Sequence, residues 1–258
     1  MIRKKNNTLE WLEFEIFAEI PGFIHGIFLR HGGVSTGSFG TLNVTTWAGD
    51  SSENVKENRK RIMQALELDT LVTADQVHGN LVQIASEPEG MFSGCDGLIT
   101  DQKNWGLLMA HADCQAAIFY DPIHHVVATV HAGWRGQVKN IYKETVEKMG
   151  HTFGSKPEDL LVGVSPSLGP ENSEFIHFRK ELPEAFWPFQ IKETYFNLWA
   201  IARHQLESLG ILPHHIQIAE IDTFANPQDF FSYRREKKNG RVEKITGCHG
   251  TVASLRRS

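Results

Sequence analysis

Short apolar runs that stop abruptly on polar residues recur along this chain. Leu107–Ala110, Ala116–Tyr120, Val126–Val130 and Leu160–Val164 lack the alternation of a half-exposed strand, and their brevity predicts strands buried on both faces. Ile216–Ile221 reads as a further strand. Near the N-terminus, Leu12, Phe14 and Ile16 alternate with Glu13 and Glu15, and Pro21-Gly22 separates them from Phe23–Leu29, which predicts a hairpin or two adjacent strands. TLNVTTW at 41–47 is rich in β-forming residues, and between Leu71 and Ala85 two β-type runs flank Gln76-Val77-His78-Gly79. Helical spacing appears three times: Val55, Ile62, Ala65 and Leu66 after a Ser52 start; Val138, Ile141, Tyr142, Thr145, Val146 and Met149 before Gly150; and Tyr195, Leu198, Trp199, Ala202, Leu206 and Leu209 before Gly210. No Gly/Ser/Pro-rich linker interrupts this order, which predicts one mixed α/β domain over residues 1–258.

Composition narrows the class. A chain of 258 residues buries a core large enough to need no disulfide or metal staple. Its net charge of −5 argues against a nucleic-acid partner. Cys95, Cys114 and Cys248 are scattered and odd in number, which points to a reducing compartment rather than a disulfide framework. The basic N-terminus lacks the apolar core of a signal peptide, and no stretch approaches a membrane span, so a soluble, cytoplasmic protein without a membrane partner is expected.

The chemistry gathers where apolar runs end. Val126–Val130 stops on His131-Ala132-Gly133-Trp134-Arg135-Gly136, so a rigid strand delivers an imidazole to its own end, the crevice where α/β sheets bind ligands. His78 stands at a second strand edge, and Cys114 follows His111-Ala112-Asp113 at a third. Separations of 36 and 17 residues make no local motif, so the three act together only if their strand ends meet at one place. If they do, two imidazoles and a thiolate form a three-ligand zinc site with a fourth position open. Without metal, the same residues make a Cys-His nucleophile pair, and the residues alone leave both readings open. Gly133 and Gly136 are expected to let the backbone turn tightly there, with Trp134 and Arg135 as packing or substrate residues. Arg30-His31-Gly32-Gly33-Val34-Ser35-Thr36-Gly37 offers a guanidinium, hydroxyls and backbone N–H groups to an anion such as phosphate.

Together, RHGGVSTG at 30–37, TLNV at 41–44, DQVHG at 75–79, CDGLIT at 95–100, ADC at 112–114, HAGWRG at 131–136 and FFSYRR at 230–235 resemble the YfiH/YlmD family. Its members have been described as multicopper polyphenol oxidases or laccase-domain proteins, peptidoglycan editing factors and purine nucleoside phosphorylases. The resemblance implies a single-domain α/β/β/α mixed-sheet sandwich, with the family's zinc ligands falling on His78, Cys114 and His131, which are also the catalytic residues. It implies phosphorolysis of purine nucleosides (adenosine, inosine, methylthioadenosine) with adenosine deaminase activity, so the expected partners are a purine nucleoside and phosphate. Arg30 is then the expected phosphate ligand and Asn43 a ribose or base contact, both substrate-binding. The alternatives are a copper-dependent polyphenol oxidase and a Cys-His hydrolase editing peptidoglycan precursors. A laccase needs several copper centres; neither His124-His125 nor His214-His215 has the setting of a second ligand cluster, so copper at the His-Cys-His set is read as opportunistic.

The chain departs from the family pattern in places. VSPSLGPENSEFIHF stands where relatives carry IGPCCYEVG, placing Glu171-Asn172 near the missing cysteine pair. Asp222-Thr223 replaces a Cys-Thr, and His111 precedes the ADC where a small or apolar residue is usual. The three expected ligands are intact; the changes fall on the expected substrate pocket.

Overall fold

The computed structural model describes residues 1–88, 90–238 and 246–256. The strands are β1 (Ile2–Asn6), β2 (Leu9–Glu13), β3 (Phe23–Phe28), β4 (Thr70–Ala74), β5 (Val82–Ile84), β6 (Met91–Phe92), β7 (Gly97–Thr100), β8 (Trp105–His111), β9 (Gln115–Asp121), β10 (Val126–Ala132), β11 (Leu161–Val164), β12 (Gln190–Lys192), β13 (Tyr195–Phe196), β14 (Ile216–Ile218) and β15 (His249–Leu255). The helices are α1 (Ser52–Ala65), α2 (Trp134–Val138), α3 (Ile141–Phe153), α4 (Phe178–Glu181), α5 (Leu198–Ser208) and α6 (Tyr233–Lys238). One mixed sheet runs β1-β2-β3-β15-β8-β4-β6 and a second runs β14-β11-β9-β10-β7-β5.

The period of two along a strand explains the layering. In β8, Leu107 and Met109 face the second sheet while Leu108 faces away, beneath α1, with Ile62, Leu66, Trp11 and Val252. In β9, Ala116, Ile118 and Tyr120 enter the layer between the sheets, and Ala117 and Phe119 face α3 and α5. In β10, Val127 points between the sheets while Ala128 and Val130 meet Ile141, Val146 and Leu206. The result is an α/β/β/α sandwich, as the family resemblance implied. It also explains why the central runs are apolar throughout: both faces of each strand are covered.

Three expectations need correction. Residues 41–47 form no strand; they are a loop braced by Asn43, whose amide leaves no need for a sheet partner. The pairing of β2 with β3 is antiparallel as expected, but the alternation past Glu13 continues into a 3-10 turn, Glu15–Phe17, and the edge strand β1 pairs along β2. The helix expected over 138–149 is two helices, split where Asn140 (φ 55°) turns left-handed and caps α3 by accepting the Lys143 N–H at 3.1 Å. Among the described residues no helix is long and apolar enough to cross a membrane.

Candidate metal centre

The segments bearing His78 and Cys114 are two of the places where the chain crosses from one sheet to the other. Residues 75–81 link β4 to β5 and residues 112–114 link β8 to β9, while β10 ends at the same end of the sandwich with His131 opposite Ala116. His131 has the strand parity of Val127 and Thr129, so its ring points into the layer between the sheets. Both crossings turn through left-handed residues, His78 itself (φ 58°) and Asp113 (φ 78°) just before Cys114. Non-glycine residues hold that conformation only where the surroundings impose it.

The structure brings the three donors together: the ligand atoms of His78, Cys114 and His131 lie within 4.8 Å of one another. The two imidazole rings meet edge to face, 4.8 Å between centroids. His131 is buried and His78 exposed, so the cluster opens to solvent on one side.

Asp96, immediately before β7 and fully buried, holds this arrangement. Its Oδ1 accepts the His131 Nδ1–H at 2.8 Å and the His78 backbone N–H at 3.0 Å. Its Oδ2 accepts the backbone N–H of Gly79 at 2.6 Å and of Val77 at 3.2 Å. The Asp96 carbonyl takes the His131 N–H at 2.6 Å. One carboxylate therefore fixes the tautomer of one ligand, leaving its Nε2 lone pair for a metal, and clamps the turn that carries another. Burial alone would raise the pKa of Asp96; the hydrogen bond and charge of His131 outweigh it and keep the carboxyl below the ordinary range. Burial would likewise push the Cys114 thiol up, yet the His131 charge and hydrogen bonds from His131 and His78 hold it down to about 6. Burial opposes a charge on His131 as well, but Cys114 and Asp96 raise it to about 9. Both shifts favour a thiolate beside an imidazolium when no metal is bound.

Sequence reasoning passed over Asp96; the signal available was an acid set between Cys95 and an apolar strand, where burial demands a partner. It misjudged Gly133, whose φ of −64° needs no glycine. A Cβ there would stand 3.0 Å from Cys114 Sγ and 3.1 Å from His78 Cδ2, so the missing side chain makes room for the ligands. Gly136 similarly gives way to the Gly79 carbonyl, 3.0 Å from where its Cβ would be. Arg135 stacks over the Trp134 ring at 4.2 Å, and Trp134 packs edge-on against Phe175. His111 is a brace: its Nδ1–H donates to the Cys114 carbonyl at 3.0 Å, and its Nε2 accepts from the Thr251 hydroxyl at 2.8 Å. Asp113 accepts from the Thr223 hydroxyl (2.7 Å) and the Arg234 N–H (2.6 Å), tying the Cys114 turn to α6. Asp222 receives the Asn172 amide at 2.6 Å, so two of the departures from the family pattern partner each other.

Arg30 and Asn43 do not join the three donors. Asn43 is fully buried; its amide donates to the Thr45 carbonyl and Asp50 Oδ2, both at 2.8 Å, and accepts from the N–H groups of Thr45 and Cys248. Every hydrogen-bonding position of its side chain is used within the protein, so in this structure it braces the loop. The glycine-rich turn is likewise closed to an anion along much of its length, since the N–H groups of Gly33, Val34 and Ser35 go to Thr41 Oγ1, Asn58 Oδ1 and the Thr41 carbonyl. Gly32 and Gly33 are required by close backbone approach, a Cβ on Gly32 falling 2.3 Å from the Thr8 carbonyl oxygen and one on Gly33 2.1 Å from that of Thr41. Arg30 lines a cavity of its own on this side of the molecule.

A four-layer sandwich with a His-Cys-His cluster that could hold a metal ion, placed where strands cross between its two sheets, defines the class. The profile of the multi-copper polyphenol oxidoreductase laccase family matches residues 24–249, and the chain belongs to that family, which includes the YfiH and YlmD proteins. It is 30% identical over 255 residues to a purine nucleoside phosphorylase of Bacteroides thetaiotaomicron, covering 90% of this chain and 93% of that one. It is 31% identical over 225 residues to the purine nucleoside phosphorylase YfiH of Escherichia coli, covering 83% and 88%. The crystal structure of YlmD from Geobacillus stearothermophilus superposes with a TM-score of 0.87 at 27% identity over 98% of both chains.

Proposed function

We propose that the chain is a zinc-dependent purine nucleoside phosphorylase that takes adenosine, inosine and methylthioadenosine and also deaminates adenosine. The observation that carries this reading is the three-donor cluster with one open side, its buried histidine oriented by Asp96. Two imidazole nitrogens and a thiolate suit zinc in a catalytic rather than structural setting. The names of the relatives support the nucleoside and phosphate substrates. When bound, zinc supplies Lewis-acid polarisation and makes water acidic enough to serve as a nucleophile near neutral pH, which deamination requires. The residues supply the frame: Cys114 presents a thiolate already favoured by its neighbours, His131 offers Nε2, and Arg30 provides positive charge for phosphate. Copper binds such donors more tightly than zinc and is expected to enter the same site. A multi-copper oxidase is disfavoured because, among the described residues, His78, Cys114 and His131 make the single cluster of this kind.

The thiolate–imidazolium pair favours one second reading, a metal-independent Cys-His hydrolase acting on a peptidoglycan precursor. Turnover of adenosine and inosine in phosphate buffer, before and after chelation and for wild type and Cys114→Ala, separates the two. Phosphate-dependent release of the base, lost on chelation and restored by zinc, is expected. Activity that survives chelation overturns the metal reading, and metal binding without nucleoside turnover overturns the enzyme reading.

A further inference from the structure

Of the six tryptophans only Trp47 stands exposed, at 61%, and it is turned the opposite way from a usual surface tryptophan. The side chain ordinarily buries its apolar ring and leaves the polar N–H at the water side. Here the N–H points inward, donating to the thiol of buried Cys248 at 3.4 Å, and the ring lies in solvent. The loop that presents it is held from several sides. The Asn43 amide donates to the Thr45 carbonyl and accepts from the Cys248 N–H, and the Val44 N–H donates to the Cys248 carbonyl at 3.1 Å. Arg59 of α1 donates from Nε to the Val44 carbonyl at 2.8 Å, and the Gly49 N–H closes a turn onto the Thr46 carbonyl at 2.9 Å. A flat apolar face that folding gains nothing by exposing is thus fixed in place before any ligand arrives.

Strand register places this face beside the metal centre. His249 of β15 pairs with His111 of β8, so Cys248 stands level with Ala112, next to the turn that carries Cys114. Burial raises the Cys248 pKa, the Trp47 N–H lowers it, and the charge of Cys114 raises it further, as it does only where the two sulfurs are close. On the other side of β8 lies β4. Beyond its end the Gln76 amide bonds the Ala110 N–H and carbonyl at 2.9 and 2.7 Å, and exposed Val77 and His78 follow. The backbones flanking β8 are two strand spacings apart, roughly 10 Å. Trp47 and Val77 are therefore exposed apolar side chains on either side of the strand end that runs into Cys114, and a ring resting on the indole lies within reach of the three donors.

We propose that the purine ring of the nucleoside stacks on the outward face of Trp47. The stack rests on the nucleoside reading above and supplies what the metal ligands do not, a hold on the base. An indole recognises the π-surface of a ring whatever its substituents. Adenine and hypoxanthine are gripped alike, which suits one site taking adenosine, inosine and methylthioadenosine.

Calorimetric titration of inosine into the zinc-loaded full chain, in buffer without phosphate so that no phosphorolysis occurs, tests the stack. Trp47→Ala is expected to weaken inosine about ten-fold or more, the loss of one base–aromatic stack. Trp47→Phe keeps a ring face but no N–H and is expected to bind within about three-fold of wild type. The same variant is expected to lose the quenching of tryptophan emission that inosine causes in wild type. Circular dichroism and zinc content check both variants; if Trp47→Ala fails to fold or to hold zinc, affinity and quenching in Trp47→Phe decide the matter. No measurable inosine binding to wild type, unchanged affinity in folded Trp47→Ala, or quenching that persists in Trp47→Phe overturns the proposal. A loss of about ten-fold or more in Trp47→Phe overturns it as well, since the N–H to Cys248 would then be what matters. Turnover is scored separately. Inosine binding that depends on Trp47 without phosphorolysis removes the enzymatic reading and keeps the stack, while phosphorolysis with an unaltered inosine KM in folded Trp47→Ala does the reverse.

Discussion

Replacing Asp96 by asparagine keeps the shape of the side chain and removes one acceptor, which isolates what the carboxylate does. In the native protein two oxygens take four hydrogen bonds, from His131 Nδ1, His78 N, Gly79 N and Val77 N. The amide group of an asparagine must face one of the two pairs of donors. Turned toward Gly79 and Val77, it leaves two N–H groups opposed by its own; turned toward His131 and His78, it disrupts the ligands directly. Each buried donor left without an acceptor costs about 1–3 kcal/mol, so about 2–6 kcal/mol is at stake in a protein whose total stability is of order 5–15 kcal/mol. The second orientation admits one escape: His131 shifts its proton to Nε2 and accepts the new amide at Nδ1. That shift takes away the lone pair a metal needs, and loss of such an orienting partner lowers metal affinity about 10–100-fold. Zinc affinity by competition with a chromogenic chelator, together with urea unfolding of the metal-free protein, reads both terms. A variant that unfolds like wild type and binds zinc within about two-fold of it would refute the role given to Asp96.

Two further outcomes are expected. Gly133→Ala places a methyl group 3.0 Å from Cys114 Sγ and 3.1 Å from His78 Cδ2, so metal content is expected to collapse while circular dichroism and melting change little, the backbone there being ordinary for alanine; full zinc stoichiometry in the variant would show that the ligands tolerate the crowding. Stability is expected to fall on mild acidification because burial holds His25 and His249 neutral down to about pH 3. The unfolded chain binds those protons from about pH 6.5 downward, so the stabilisation is complete above that pH and is lost progressively toward 3. The loss comes to about 2 kcal/mol for each imidazole between pH 6.5 and 5. Urea unfolding at pH 7 and pH 5 measures it, and equal midpoints would contradict the burial of these rings.

The sequence by itself determined the buried strands β8 to β11 and the three longest helices, α1, α3 and α5, because period and run length report which faces are covered; the edge strand β1 and the central strand β15 went unread. It placed His131 at the end of a buried strand and fixed, through the parity it shares with Val127, the face it occupies. The motifs resembling the YfiH/YlmD family named the three donors. Their meeting was not legible, since separations of 36 and 17 residues carry no geometry; it follows from residues 75–81 and 112–114 both being crossings between sheets at one end of the sandwich. Asp96 escaped notice for the same reason: its partners come from a left-handed turn and from the far end of another strand, and only their approach gives a buried carboxylate its purpose. Asn43 and Arg30 show the opposite case. Both are residues a substrate site would want, but hydrogen-bonding capacity is finite, and only the tertiary structure decides how much of it the protein has already used: all of it at Asn43, and a part at Arg30.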